Sequence, residues 1–201
     1  MQDFGPRRIC TERRATAPGR TGKALVLGLA AGLAGFANGW AVPLERPAVP
    51  DRSLDPPAAV VPVLKAAGEG VQRYACIEKE GTPGTFAWTL RGPWAKLYDA
   101  AHREIGSHSA GPTWQLGDGS KVVKKEVLAT VQSTDQRAIP WLLVQVEPSG
   151  AGALASVTYV QRIDTAFGRA PATGCDAEHA GATEEVDYSA TYLFYAPPPA
   201  S

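Results

Sequence analysis

Past residue 41, this 201-residue chain has little of what usually betrays a function. It has no C-x-x-C pair and no G-x-S-x-G elbow. The first absence removes a dithiol redox site or zinc ribbon, and the second removes the α/β-hydrolase nucleophile. No internal repeat is visible. Helical periodicity is scarce, with one short candidate at about residues 57–67. Positive charge is not in excess either. The whole chain carries 20 Lys and Arg against 20 Asp and Glu, and residues 42–201 carry 14 against 18, a net charge of −4. A mildly acidic domain has no electrostatic footprint for nucleic acid or anionic lipid. Nothing in the sequence calls for a cofactor. His102 and His108 have Asp99, Glu104 and Asp118 around them, but that spacing fits no zinc or calcium motif, so no metal site is expected.

What is present begins with an export pattern. Residues 1–23 are basic, residues 24–41 form an uncharged apolar run, and small residues close it at Gly39 and Ala41. These are the three regions of a secretory signal, and cleavage is expected after Ala41. The run is also about long enough to span a bilayer, so retention as an anchor is the alternative. Residues 42–57 are Pro-rich and read as an extended linker that packs no core. Residues 196–201 read as a disordered tail, which leaves a domain over residues 58–195. Of the three cysteines, Cys10 falls in the export segment. Cys76 and Cys175 remain, one near each end of the domain, and in an oxidising compartment they are expected to pair. The expected location is therefore secreted or periplasmic, with no stable membrane span once the signal is removed.

Within the domain, apolar residues recur with period two. Strands are predicted over residues 71–77, 85–90, 94–99, 122–131, 157–163 and 186–195. Residues 139–146 (IPWLLVQV) are nearly all apolar and predict a strand buried on both faces, with Pro140 requiring a bulge or strand end. Turn residues separate these runs. The fold class is all-β, a single antiparallel β-sandwich or barrel-like domain. The string GAGALA at residues 150–155 has dinucleotide-loop spacing, but another strand follows instead of a helix, so it reads as a hairpin loop.

Several stretches carry a family resemblance. They are GVQRYAC (70–76), LYDAAHREIGSHSAGPTWQLGDGSKV (97–122), AIPWLLVQV (138–146), VTYVQRIDTAFGRAPATGCD (157–176) and YSATYLFY (188–195). Together they resemble the secreted family catalogued as domain of unknown function 3455. The resemblance implies export and a single domain, agrees with pairing of Cys76 and Cys175, and implies no mechanism.

The sharpest local feature is GSHSAGPTWQLGDGS at residues 106–120, read as a loop. Trp114 offers a stacking face, His108 a base or ligand near neutral pH, and Asp118 a carboxylate. The structural reading of the same residues is a turn at Gly111-Pro112, a core plug at Trp114 and a tight turn at Asp118-Gly119. Arg162 shares a strand face with Thr158 and Val160. It is either an anchor for an anionic group or, as the sequence favours, half of a cross-strand ion pair. The candidate ligand-binding residues are thus His108, Trp114, Asp118 and Arg162, with no catalytic set assigned. The expected function is a binding or structural module of the cell envelope or extracellular space, acting on a small molecule, carbohydrate or protein. The alternatives are a secreted hydrolase using His108 with a carboxylate such as Asp118, and an interaction domain anchored through residues 24–41.

Overall fold

A computed structural model describes residues 43–199. The expected signal or anchor over residues 1–41, Cys10 within it, and the last two residues of the tail lie outside the described residues. Eight strands follow one another: β1 (Val61–Glu78), β2 (Phe86–Tyr98), β3 (Glu104–Ser109), β4 (Thr113–Leu116), β5 (Lys121–Val131), β6 (Trp141–Ser149), β7 (Tyr159–Phe167) and β8 (Thr183–Ala196). Each pairs antiparallel with the next, and β8 returns to pair with β1, closing a barrel. The all-β expectation therefore resolves to the barrel form. The only helical pieces among the described residues are two 3-10 turns, Arg52–Leu54 and Ala177–His179. No helix among these residues is long and apolar enough to cross a membrane.

Alternation decides what fills the interior. On β8, Tyr188, Ala190, Tyr192 and Phe194 belong to the main core, and Leu193 and Tyr195 belong to a second cluster on the other face. Opposite them, β1 contributes small residues. A Cβ at Gly68 would collide with the Tyr192 ring, so glycine there lets the ring lie against the β1 backbone. Leu116, Leu154 and Val157 fill the end of the barrel reached by the β4–β5 turn and the β6–β7 loop. GAGALA runs through that β6–β7 loop, as expected.

Four sequence expectations need correction. The segment read as a helix at residues 57–67 enters β1 at Val61, because its backbone pairs with β8 from Val61↔Ala196 onward. The two runs at residues 85–90 and 94–99 are one strand, β2. It passes through Gly92, whose φ of 131° accommodates an irregularity opposite Arg73 and Tyr74. The supposed loop at residues 106–120 contains two strands, β3 and β4. Finally, the Pro-rich segment does pack. Leu54 is fully buried, its carbonyl accepts from Gln161 Nε2 at 2.8 Å, and Arg46 donates to the carbonyls of Pro56, Pro57 and Val60.

That segment is a strap across the outside of the barrel. The 3-10 turn carrying Leu54 rests on β5 and β6, and Val49 and Val60 join Leu193, Tyr195 and Trp141. The strap explains why IPWLLVQV is nearly all apolar. Val144 and Val146 face the interior core, and Leu143, on the alternate face, is also buried. Pro140 sits just before β6, where it removes no ladder bond. Truncation at Leu54→Ala is expected to cost about 2–5 kcal/mol, as for other fully buried leucines. Urea denaturation measures this, and a loss well under about 1 kcal/mol would show that the strap is not part of the cooperative unit.

The described cysteines behave as the sequence implies. Cys76 and Cys175 are disulfide-bonded, with Cα atoms 5.3 Å apart, and tie the end of β1 to the loop between β7 and β8.

Candidate functional site

The β3–β4 hairpin is shorter than the strands beside it. β3 pairs with β2 only from Trp94 onward, and β4 pairs with β5 only up to Val123. Residues 86–93 of β2 and 124–131 of β5 therefore extend past the hairpin with no strand between them. The result is a notch in the barrel wall. Leu90 and Pro93 stand on one side, Lys124 and Val127 on the other, and Pro112 lies in the hairpin turn below. Behind it is a cavity of about 130 Å³, which these five residues line together with deeper ones. Two bulges in β5, at Lys124/Glu126 and Val127/Ala129, turn that strand at the rim.

Two of the deeper groups come from the hairpin. Register places His108 directly opposite Trp114, both facing inward, so their rings stack at 4.3 Å and 9°. Tyr192 meets both rings edge-on, at 5.1 and 5.8 Å. His108 is 2% exposed and Trp114 is 3% exposed. The Thr113 carbonyl lies 2.9 Å from His108 Nδ1 and can only accept, so Nδ1 carries the proton and Nε2 is an acceptor. Burial pushes the His108 imidazole down to about 3, and the nearby Arg162 charge pushes the same way against the Thr113 hydrogen bond. His108 is neutral throughout the physiological range.

Arg162 enters from β7, opposite Leu142 on β6 and Tyr192 on β8. The ion pair that the sequence favoured does not form. None of the ion pairs among the described residues involves Arg162, because its cross-strand neighbours are Leu142 and Tyr192. Its Nε and Nη2 instead donate to the Pro140 carbonyl at 3.1 and 2.8 Å. Gln72 of β1, 2% exposed, completes the polar lining. Three buried polar side-chain atoms among the described residues lack a hydrogen-bond partner. Two of them, Gln72 Nε2 and Trp114 Nε1, belong to residues that line this cavity.

The structure thus gathers His108, Trp114 and Arg162 and leaves Asp118 out. Asp118 follows β4 and lies at the other end of the barrel, in a shallow surface depression with Glu104 and Leu116. Its carboxylate accepts from Ser120 N at 2.9 Å, Ser120 Oγ at 2.6 Å and Ala153 N at 2.8 Å, which holds it below the usual carboxylate range. Asp118 fastens the β4–β5 turn to the β6–β7 loop. His102 lies in the exposed β2–β3 turn, stacked on Tyr98, and so does not converge with His108. Among the described residues no cluster of His, Cys, Asp and Glu forms a metal site. Gln72 and Lys124 were missed in the sequence. Gln72 had one signal: it is the polar member of the period-two row Ala66, Gly68, Gly70, Gln72. Lys124 had none, because a bulge decides where it points.

A family model described as "Protein of unknown function (DUF3455)" matches residues 56–196. No curated protein and no solved structure matches the chain.

Proposed function

The chain belongs to the DUF3455 family, and from that premise we propose that its barrel is a binding module that admits a small molecule through the notch. The observation that carries the reading is the cavity itself. It is walled by Val144, Val160 and the stacked His108–Trp114 pair, yet Arg162 lines it too, as do Gln72 and Trp114, whose side-chain nitrogens have no hydrogen-bond partner. A binding site of this kind is mostly apolar with a few convergent polar groups. Eight-stranded barrels have room for interior side chains or one small ligand. A volume of about 150 Å³ accommodates one benzene-sized ring, so the cavity suits a molecule of that order. Work outside the cytoplasm, in the envelope or extracellular space, is supported by the Cys76–Cys175 bond and the signal-like residues 1–41.

The acid–base alternative has less support. No carboxylate lines the cavity, Asp118 is engaged elsewhere, and an imidazole held near 3 is a weak base at neutral pH.

Thermal melts with benzoate, benzamide and benzyl alcohol test the reading. A probe at about 100 times its dissociation constant adds roughly 2.7 kcal/mol, a clear rise in Tm. At least one probe is expected to raise the Tm of the wild type. Val144→Phe fills the cavity and is expected to lose the rise while still melting cooperatively. The reading fails if no probe shifts the melt, or if the shifts survive in Val144→Phe.

A further inference from the structure

We infer that the ligand is a monocarboxylate with a flat, apolar body, its carboxylate held by Arg162 and its body against the His108–Trp114 stack. This rests on the cavity being a ligand site and names the chemistry of what enters it. Arg162 has five N–H groups, of which Nε–H and one on Nη2 are spent on the Pro140 carbonyl. The two on Nη1 and the second on Nη2 have no carbonyl or carboxylate acceptor, only the Tyr192 hydroxyl beside the guanidinium, so the Nη1–Nη2 edge offers the fork that matches two carboxylate oxygens. This guanidinium has no anionic partner among the described residues, and no Asp or Glu lines the cavity.

The other polar groups agree in sign. Gln72 Nε2 and Trp114 Nε1 are donors, each on a side chain at least nine-tenths buried and each without an acceptor. At the rim Lys124 adds a second positive charge with no ion pair among the described residues; the neighbouring Lys125 takes Glu147. Donors and cations with no competing carboxylate select an anion, and one interior guanidinium balances one negative charge. A neutral His108 and Tyr192 give the body of such a ligand flat, uncharged walls.

Isosteric probes separate this inference from the binding reading. Titrations of the full chain at neutral pH would follow tryptophan fluorescence with benzoate, benzamide and benzyl alcohol. Benzoate is expected to bind about tenfold more tightly than benzamide, the size of one good charge-assisted fork. The preference should vanish in Arg162→Met. Lys124→Gln, an exposed change that does not threaten the fold, should weaken benzoate alone by about twofold and reduce its salt dependence. Equal affinity for the three probes would keep the cavity as a binding site and overturn the anion. A benzoate preference that survives Arg162→Met would overturn it as well. If Arg162→Met does not fold, Lys124→Gln decides: benzoate affinity indifferent to that change and to salt refutes the inference. Failure of all three probes would remove both the site and its ligand class.

Discussion

Acidification is expected to remove about 5 kcal/mol of stability through His108 alone. In the unfolded chain this imidazole takes up a proton near its ordinary 6.5, whereas in the barrel it does so only near 3. Between those values the unfolded state binds the extra proton, so stability falls as the pH drops through the window. Above 6.5 the group adds no pH dependence. Trp114, Arg162 and Tyr192 surround the ring, and none is a carboxylate that would welcome the charge. Urea denaturation of the wild type and His108→Gln across this range measures the effect. The substitution should impose a constant packing loss at neutral pH, and the two stabilities should converge and then cross as the pH falls. Aspartates elsewhere, such as Asp99 and Asp176, also have lowered values and weaken the fold in acid, but they do so equally in both proteins. Parallel curves for the two proteins would show that His108 is not held neutral by burial.

Removing the disulfide is the second large perturbation. The bond joins residues 99 apart, and closing a loop of that length restricts the unfolded chain by roughly 4–5 kcal/mol in the chain-entropy model. Domains of this size are stable by about 5–15 kcal/mol, so most of the margin is at stake. The paired variant Cys76→Ala/Cys175→Ala is expected to shift the urea midpoint sharply downward and to steepen the slope, because the unfolded chain without its crosslink exposes more surface. Cys76 is fully buried beside that loop, where Trp88 Nε1 also donates to the Thr173 carbonyl at 2.9 Å. Reduction should therefore loosen the β7–β8 loop first. An unchanged midpoint would mean that strand pairing alone fixes the loop.

How much of this was legible in the sequence depended on where the ordering forces lie. β7 and β8 announce themselves, because alternation survives in the letters, whereas two bulges in β5 break the link between its letters and its faces. β6 was legible for the opposite reason: buried by the core inside and by the strap outside, it has no polar face to alternate. β3 and β4 were hidden. Glu104–Ser109 and Thr113–Leu116 are short and lie among turn-forming residues such as Gly111, Pro112 and Gly117, and their extended state comes from neighbours on both sides. Leu54 was equally hidden, an apolar residue among prolines and charges whose burial depends on an outer face formed far along the chain. For the site, His108, Trp114 and Arg162 could be named because an imidazole, an indole and a guanidinium are conspicuous in such surroundings. Asp118 stands apart because β4 carries the chain away from the cavity to the β4–β5 turn, where its carboxylate is held by Ser120 and Ala153. Closeness in sequence to Trp114 is therefore not closeness in space.

The seam between β1 and β8 imposes an order of events on a chain delivered with its amino end first. The seam runs from Val61↔Ala196 to Ala75↔Thr183, so the first stave of the barrel waits for the last. Until residue 196 has emerged, seven strands can form only an open, curling sheet with two bare edges, the arrangement most prone to wrong partners. Cys175 arrives before β8 does. Once it is joined to Cys76, the trailing segment is tethered beside the very edge it must find, and the closing search becomes a short local one.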